Sequence, residues 1–152
     1  MKKNMKVIIA GSRSLTGTDL ISQAMIESNF KITEVVSGMA RGIDQTAAQY
    51  AKKLNIPVKE FPMASELASS VTANWDLSRM ANYADALIVV WDGHSKGTLN
   101  MMKAAKARAM PIYCVTTLEC DTHAFDKAYG SSGWSIQYKF YDEKPHGRKL
   151  KI

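Results

Sequence analysis

Short apolar runs alternate along this chain with segments of helical spacing. Val7-Ile8-Ile9-Ala10 is the first run, and continuous apolarity over so few residues is the pattern of a strand buried on both faces of a parallel sheet. Ile32 to Val36, Ala86 to Trp91 and Pro111 to Val115 are further apolar runs, and Val58 to Phe61 reads as the third strand. The segments between them read as helices. Thr18 or Asp19 offers an N-cap oxygen, Leu20, Ala24 and the pair Met25/Ile26 follow at helical spacing, and Asn29 is a stop signal. Ile43, Ala47, Tyr50, Ala51 and Leu54 form an apolar stripe, as a helix lying on a sheet requires. Asn55-Ile56-Pro57 closes it, because the residue before a proline is pushed out of helical geometry. A third helix is predicted over Ala73 to Tyr83 and a fourth over Thr98 to Ala109. The fourth is small-sided, with Ala104, Ala105, Ala107 and Ala109, which lets it lie close to a sheet. Pro62 to Thr72 reads as a loop or a short helix.

This alternation predicts an α/β class: a single Rossmann-like, doubly wound domain with a mainly parallel sheet of strand order 3-2-1-4-5. That order sets strands one and four side by side where the winding reverses, so the turns after them share one crevice at the carboxyl ends of the strands. Beyond Thr117 the character changes. Ser135 to Tyr141 alternates with period two and is expected as a C-terminal edge strand, and Lys144 to Ile152 as a basic tail. The expected organisation is a main domain over residues 1–117 and an extension over 118–152 packed on it.

A chain of 152 residues is long enough for one hydrophobic core, and 46% hydrophobic with 22% charged residues is ordinary for a globular protein. No apolar run approaches the roughly 20 residues that span a bilayer. The basic start, Met1 to Lys6, leads into an apolar run too short for a signal-peptide core. A cytoplasmic protein with no membrane partner is therefore expected. The net charge of +6 favours anionic partners, although much of it lies at the ends, in Lys2, Lys3, Lys6, Lys144, Arg148, Lys149 and Lys151. Two cysteines exclude a disulfide framework. Cys114 sits in an apolar run as a small hydrophobe. Cys120-Asp121-Thr122-His123 has no second ligand pair to complete a metal set. No metal and no cofactor is expected.

The chemistry gathers at three junctions. Gly11-Ser12-Arg13 follows the first strand, Ser37-Gly38-Met39-Ala40-Arg41-Gly42-Ile43-Asp44 the second, and Ser95-Lys96-Gly97-Thr98 the fourth. Strand-to-helix junctions present free backbone N–H groups to an anion, and glycine permits close approach or positive φ. Arg13 and Arg41 are the candidates for bidentate phosphate binding, with Lys96 as a point charge. Ser95 and Thr98 either hold a phosphate oxygen or cap the next helix, since both roles use the same geometry. Asp44 either accepts from ribose hydroxyls or simply favours a helix N-terminus. Trp91 ends a strand at the expected crevice and is a candidate for stacking on a base, whereas Trp75 reads as packing or a dimer contact. Asp92 stands where catalytic or ribose-binding groups gather, and is also a common turn residue. The chain has no P-loop, no Gly-x-Gly-x-x-Gly and no Gly-x-Ser-x-Gly elbow, which removes P-loop nucleotide hydrolysis, ordinary dinucleotide binding and α/β-hydrolase chemistry.

Taken in order, these three junctions together with Arg79-Met80-Ala81-Asn82-Tyr83-Ala84-Asp85-Ala86 resemble the SLOG superfamily over residues 5 to 116. That superfamily joins DNA-processing protein A (DprA/Smf), the Lonely Guy phosphoribohydrolases and small YspA-like proteins. By length and layout the chain is most similar to the YspA-like branch, and Ser37 to Asp44 resembles DNA-processing protein A. The resemblance implies a Rossmann-like fold, a homodimer or higher homo-oligomer, and a nucleotide-type ligand over the glycine turns, with Arg79 added to the binding residues. Its enzymatic members cleave the N-glycosidic bond of nucleoside monophosphates. This chain has Asp76 where those enzymes place an arginine, and Leu99, Asn100 and Met101 where they place glutamates. Glycosidic cleavage needs a carboxylate near the anomeric carbon, and Asn100 is neutral.

The first expectation is accordingly a protein that holds a nucleotide, an ADP-ribose-like molecule or a cyclic signalling nucleotide, as sensor or sequestering protein; the resemblance suggests bacterial or phage defence signalling as its setting. The alternatives are a nucleotide N-glycosidase using Asp92 or Asp76, and single-stranded DNA binding, which would make nucleic acid a partner and weaken steeply with salt.

Overall fold

A computed structural model describes residues 4–12, 18–39, 42–61, 70–91, 96–117, 135–141 and 150–151. The elements run β1 (Asn4–Gly11), α1 (Thr18–Glu27), β2 (Lys31–Ser37), α2 (Ile43–Lys53), β3 (Val58–Glu60), α3 (Ser70–Tyr83), β4 (Ala86–Trp91), α4 (Lys96–Ala107), β5 (Pro111–Thr117), β6 (Ser135–Tyr141) and β7 (Leu150–Lys151). All the strands belong to one sheet of order β3-β2-β1-β4-β5-β6-β7. The first five strands pair in parallel in the order 3-2-1-4-5, so the fold is α/β and Rossmann-like. β6 extends the sheet in parallel beside β5. The expected edge strand is therefore an inner one: β7 pairs antiparallel with Phe140 and Tyr141 and forms the margin. Two residues of the expected basic tail are thus strand.

The continuous apolar runs are explained by burial on both faces. Along β1, Val7 and Ile9 face one core and Ile8 and Ala10 the other. Along β4, Ala86, Ile88 and Val90 join the first core, and Leu87, Val89 and Trp91 the second. Leu20, Ile21 and Ala24 of α1 and Ile43, Ala47 and Ala51 of α2 cover the first face. Leu77, Met80 and Ala81 of α3 and Met101, Met102 and Ala105 of α4 cover the second. Among the described residues two helices cover each face, the doubly wound arrangement that right-handed crossovers produce when the winding reverses between β1 and β4. The apolar stripe of α2 holds except at its end, where Leu54 is exposed, as is Ile26 of α1. In α4 the alanines do less than their number suggests. Only Ala105 is buried, and Met101 and Met102 fill the space against the sheet.

Helix ends follow local backbone chemistry. Asn29 and Asn55 adopt φ of 62° and 60°, the left-handed conformation that asparagine tolerates better than most residues. At the end of α2, Asn55 N–H donates to the Lys52 carbonyl at 3.1 Å and Ile56 N–H to the Ala51 carbonyl at 2.9 Å, a Schellman closure. The end of α4 repeats it, with Ala109 N–H on Lys106 at 2.9 Å and Met110 N–H on Ala105 at 3.0 Å. Its left-handed residue is Ala109 at φ 52°, where a Cβ is strained. Polar ties at the lower part of the sheet add to this. Tyr113 Oη donates to Glu27 Oε2 at 2.8 Å, linking β5 to α1. Tyr83 Oη donates to Glu34 Oε1 at 2.5 Å, linking α3 to β2.

Two outcomes are expected. Ala109→Gly relieves the left-handed strain and raises stability by about 0.5–1 kcal/mol in urea denaturation, after the entropy that glycine returns to the unfolded chain is subtracted. The phenol of Tyr113 is pushed well above the ordinary tyrosine range, first by burial and then by its hydrogen bond to Glu27 and the charge of Glu27. The unfolded chain ionises this group near pH ~10 while the fold keeps it neutral, so its stabilisation is present below pH ~10 and drains away as pH climbs above it. Tyr113→Phe should cost about 1 kcal/mol at neutral pH and flatten the alkaline loss of stability, read as unfolding free energy between neutral pH and pH ~11.

Candidate functional site

The carboxyl ends of β1 and β4 lie side by side, with Gly11 opposite Val90. Ser12 N–H carries the ladder one step further, onto the Val90 carbonyl at 3.0 Å. Gly11 is glycine for a steric reason. A Cβ there would stand 2.3 Å from the Val90 carbonyl oxygen and 2.8 Å from the Cβ of Ile43, so β1 can turn off the sheet against α2 only without a side chain. Ser12 is buried beside it.

The junction after β2 is organised by Asp44. Its side chain is 7% exposed, and Oδ1 accepts the Gly11 N–H at 3.2 Å. Its backbone carbonyl accepts the Ser37 hydroxyl at 3.0 Å, and the Ser37 oxygen accepts the Met39 N–H at 3.1 Å. Oδ2 stands 3.1 Å from where a Cβ of Gly38 would be, with Met80 Sδ at 3.5 Å. Met39 at φ 61° and Gly42 at φ 78° complete the turn, and Gln45 donates to the Met39 carbonyl at 3.1 Å. Asp44 thus stands in the first turn of α2, where a carboxylate is favoured by the helix dipole, and joins β1 to α2. Of its two sequence readings, the helix-terminus role is the one this geometry fills.

The junction before α4 differs. Its first turn contains no acidic residue. Lys96 and Gly97 are exposed and Thr98 is buried. A Cβ at Gly97 would meet nothing among the described residues within 4 Å, so none of them requires glycine there. A glycine in a helix ordinarily costs about 0.5–1 kcal/mol relative to alanine.

Trp91 is 5% exposed and packs in the core among Leu77, Met80 and Met101; its ring is used in packing rather than offered to a base. Arg79 is exposed, with its guanidinium carbon 5.8 Å from the Phe61 ring centroid, on the β3 side of the sheet. Lys6 and Lys59 join it around Phe61 and Tyr83, with Lys6 Nζ 4.3 Å above the Tyr83 ring. The structure therefore brings Gly11, Ser12, Gly38, Met39 and Asp44 together, sets Lys96, Gly97 and Thr98 after the neighbouring strand, and directs Arg79 elsewhere. Arg13, Arg41, Asp92 and Ser95 lie outside the described residues, and Asp76 is a backbone position of α3.

One polar group was missed by the sequence reading. Thr116, on β5 opposite Trp91, is fully buried, and among the described residues its Oγ1 has no hydrogen-bond partner. The available signal was a hydroxyl continuing the apolar run Ile112 to Val115. Elsewhere, a groove of about 280 Å³ between α1 and α2 is lined by Met25, Ile26, Phe30, Tyr50 and Leu54, a surface without cations for phosphate. Among the described residues no cluster of His, Cys, Asp and Glu could hold a metal ion, and no helix is long and apolar enough to cross a membrane. Comparison with protein-family models and with curated proteins finds no match for this chain.

The Asp44 brace predicts its own loss. Asp44→Ala leaves the Gly11 N–H without its acceptor and should cost about 1–3 kcal/mol of stability. Asp44→Asn keeps an acceptor oxygen and should recover most of that loss, both read from urea-denaturation midpoints.

Proposed function

We propose that the protein is a cytoplasmic nucleotide-binding protein of SLOG type, which holds a nucleotide-derived ligand with its phosphate end at the first turn of α4. The observation that carries this reading is Gly97. It is exposed, and the space where its Cβ would stand is open, as a ligand drawn close to the backbone requires. The turn has no carboxylate to repel an anion and carries Lys96 beside it, and helix N-termini bind phosphate through backbone N–H groups and the dipole. The crevice between β1 and β4 is where ligands bind in open α/β sheets. Holding rather than cleaving is supported by Asn100 in place of a carboxylate and by the commitment of Asp44 to the Gly11 N–H. A sensor or sequestering role follows, with a homo-oligomer as the working form.

Calorimetry with AMP, ATP, ADP-ribose and cyclic dinucleotides tests the reading. Saturable one-site binding of at least one of them, with no base released on chromatography, is expected. Gly97→Ala should raise stability by about 0.5 kcal/mol, because alanine is the better helix residue, yet weaken binding about tenfold or more by filling the approach. Absence of heat with every member of the panel would sink the proposal.

A further inference from the structure

We propose that Thr116 is a ligand-contacting residue of this crevice, its hydroxyl donating to a phosphate oxygen held at the first turn of α4; the inference rests on the binding reading above. Three independent features place the hydroxyl. Along β5, Ile112 and Cys114 belong to the core under α3 and α4, while Tyr113 and Val115 belong to the opposite one. Alternation therefore puts Thr116 on the α4 face. Register sets it opposite Trp91, the last residue of β4, and so at the carboxyl end of the sheet, the end from which α4 sets out. Finally, its Oγ1 is buried with no hydrogen-bond partner among the described residues.

Buried hydroxyls are almost always partnered, and each exception calls for an explanation. Packing does not provide one here. Valine has the same shape without the desolvation penalty, and the preceding positions on this face are Ile112 and Cys114. A threonine can swing its hydroxyl by one χ1 step without moving the backbone. In the proposed complex that step turns the donor toward an anion at the end of the strand, held also by the N–H groups of the first turn of α4. The hydroxyl then adds to those N–H groups one donor from a different element, which fixes the phosphate against both the helix and the sheet.

The test compares wild type, Thr116→Val and Thr116→Ser by calorimetry with inorganic pyrophosphate and with the nucleotide panel, alongside urea denaturation. Expected are a Kd raised about tenfold or more in Thr116→Val, as for loss of one hydrogen bond to a charged group, a Kd within about threefold of wild type in Thr116→Ser, and a ligand-free Thr116→Val at least as stable as wild type. Nucleotide or pyrophosphate binding that Thr116→Val leaves within about twofold overturns the inference while the binding reading stands. Pyrophosphate binding that depends on Thr116, with no nucleotide bound, supports the inference and removes the nucleotide reading. A ligand-free Thr116→Val less stable than wild type, or a wild type that binds no pyrophosphate and no nucleotide, overturns the inference outright.

Discussion

The contact on which the carboxyl end of this sheet depends is the approach of three groups to Gly11. The Val90 carbonyl and Ile43 close in where a side chain would stand, and the Asp44 carboxylate takes the Gly11 N–H. Val90 belongs to β4 and both Ile43 and Asp44 to α2, so the position of β1, the end of β4 and the start of α2 are fixed together. The rest of the β2–α2 turn follows from that lock. With Asp44 fixed, Ser37 reaches its carbonyl and Met39 N–H reaches Ser37. Met39 and Gly42 adopt left-handed conformations. The left-handed strain at Met39 is held by hydrogen bonds on both sides of its peptide, from its N–H to Ser37 and from Gln45 to its carbonyl.

The same lock divides the electrostatics of the crevice. Helix N-termini attract negative charge, and α2 meets that demand internally with a buried carboxylate. α4 does not. Its first turn has no acidic residue, and no described residue stands within 4 Å of where a Cβ of its glycine would be. Two junctions that look alike as strings of small residues therefore differ in what they leave for a ligand. A phosphate near Asp44 would meet a negative charge in a poorly hydrated place, whereas one at α4 would meet N–H groups and Lys96. That difference, rather than the presence of glycines, gives the crevice its direction.

How much of this was legible depended on whether a feature is local. Buried strands write themselves as apolar runs because both faces are covered, as along β1, β4 and β5, whereas β3 is a short marginal strand with no buried residue. The asparagines at 29 and 55 announced helix ends because the left-handed conformation selects them. Ala109 does the same work with no such signal, and α4 ends earlier than its run of alanines suggests. β7 was hidden for a similar reason: two residues carry no periodicity, and pairing with Phe140 and Tyr141 alone makes them strand. At the site, the glycine turns were legible but their purposes were not. Gly11 and Gly97 look equivalent in sequence, and only the neighbours brought by other elements show that one is demanded by packing and the other is not. Trp91 has the same ambiguity, because a residue at the end of a strand can face the crevice or the core, and here it is 5% exposed. The alternation of β4 settles this only once it is known that α3 and α4 cover that side.

The polar ties complete the division between the two ends of the sheet. Tyr113 reaches Glu27 in the last turn of α1, and Tyr83, the last residue of α3, reaches Glu34. Asp85 receives the Lys6 N–H at 2.9 Å and returns its own N–H to the Lys6 carbonyl at 2.7 Å. These groups lie where helices finish and β1 and β4 begin, so they secure the amino end with side chains that satisfy one another. A buried donor or acceptor costs little when it is paired and much when it is not, and at the amino end the pairing is reciprocal. At the carboxyl end the described residues leave Thr116 unpaired and Gly97 uncovered. The Gly11 and Met39 N–H groups and the Ser37 hydroxyl are paired at this same end, so Thr116 Oγ1 stands out among the described residues as a buried side-chain oxygen with no partner.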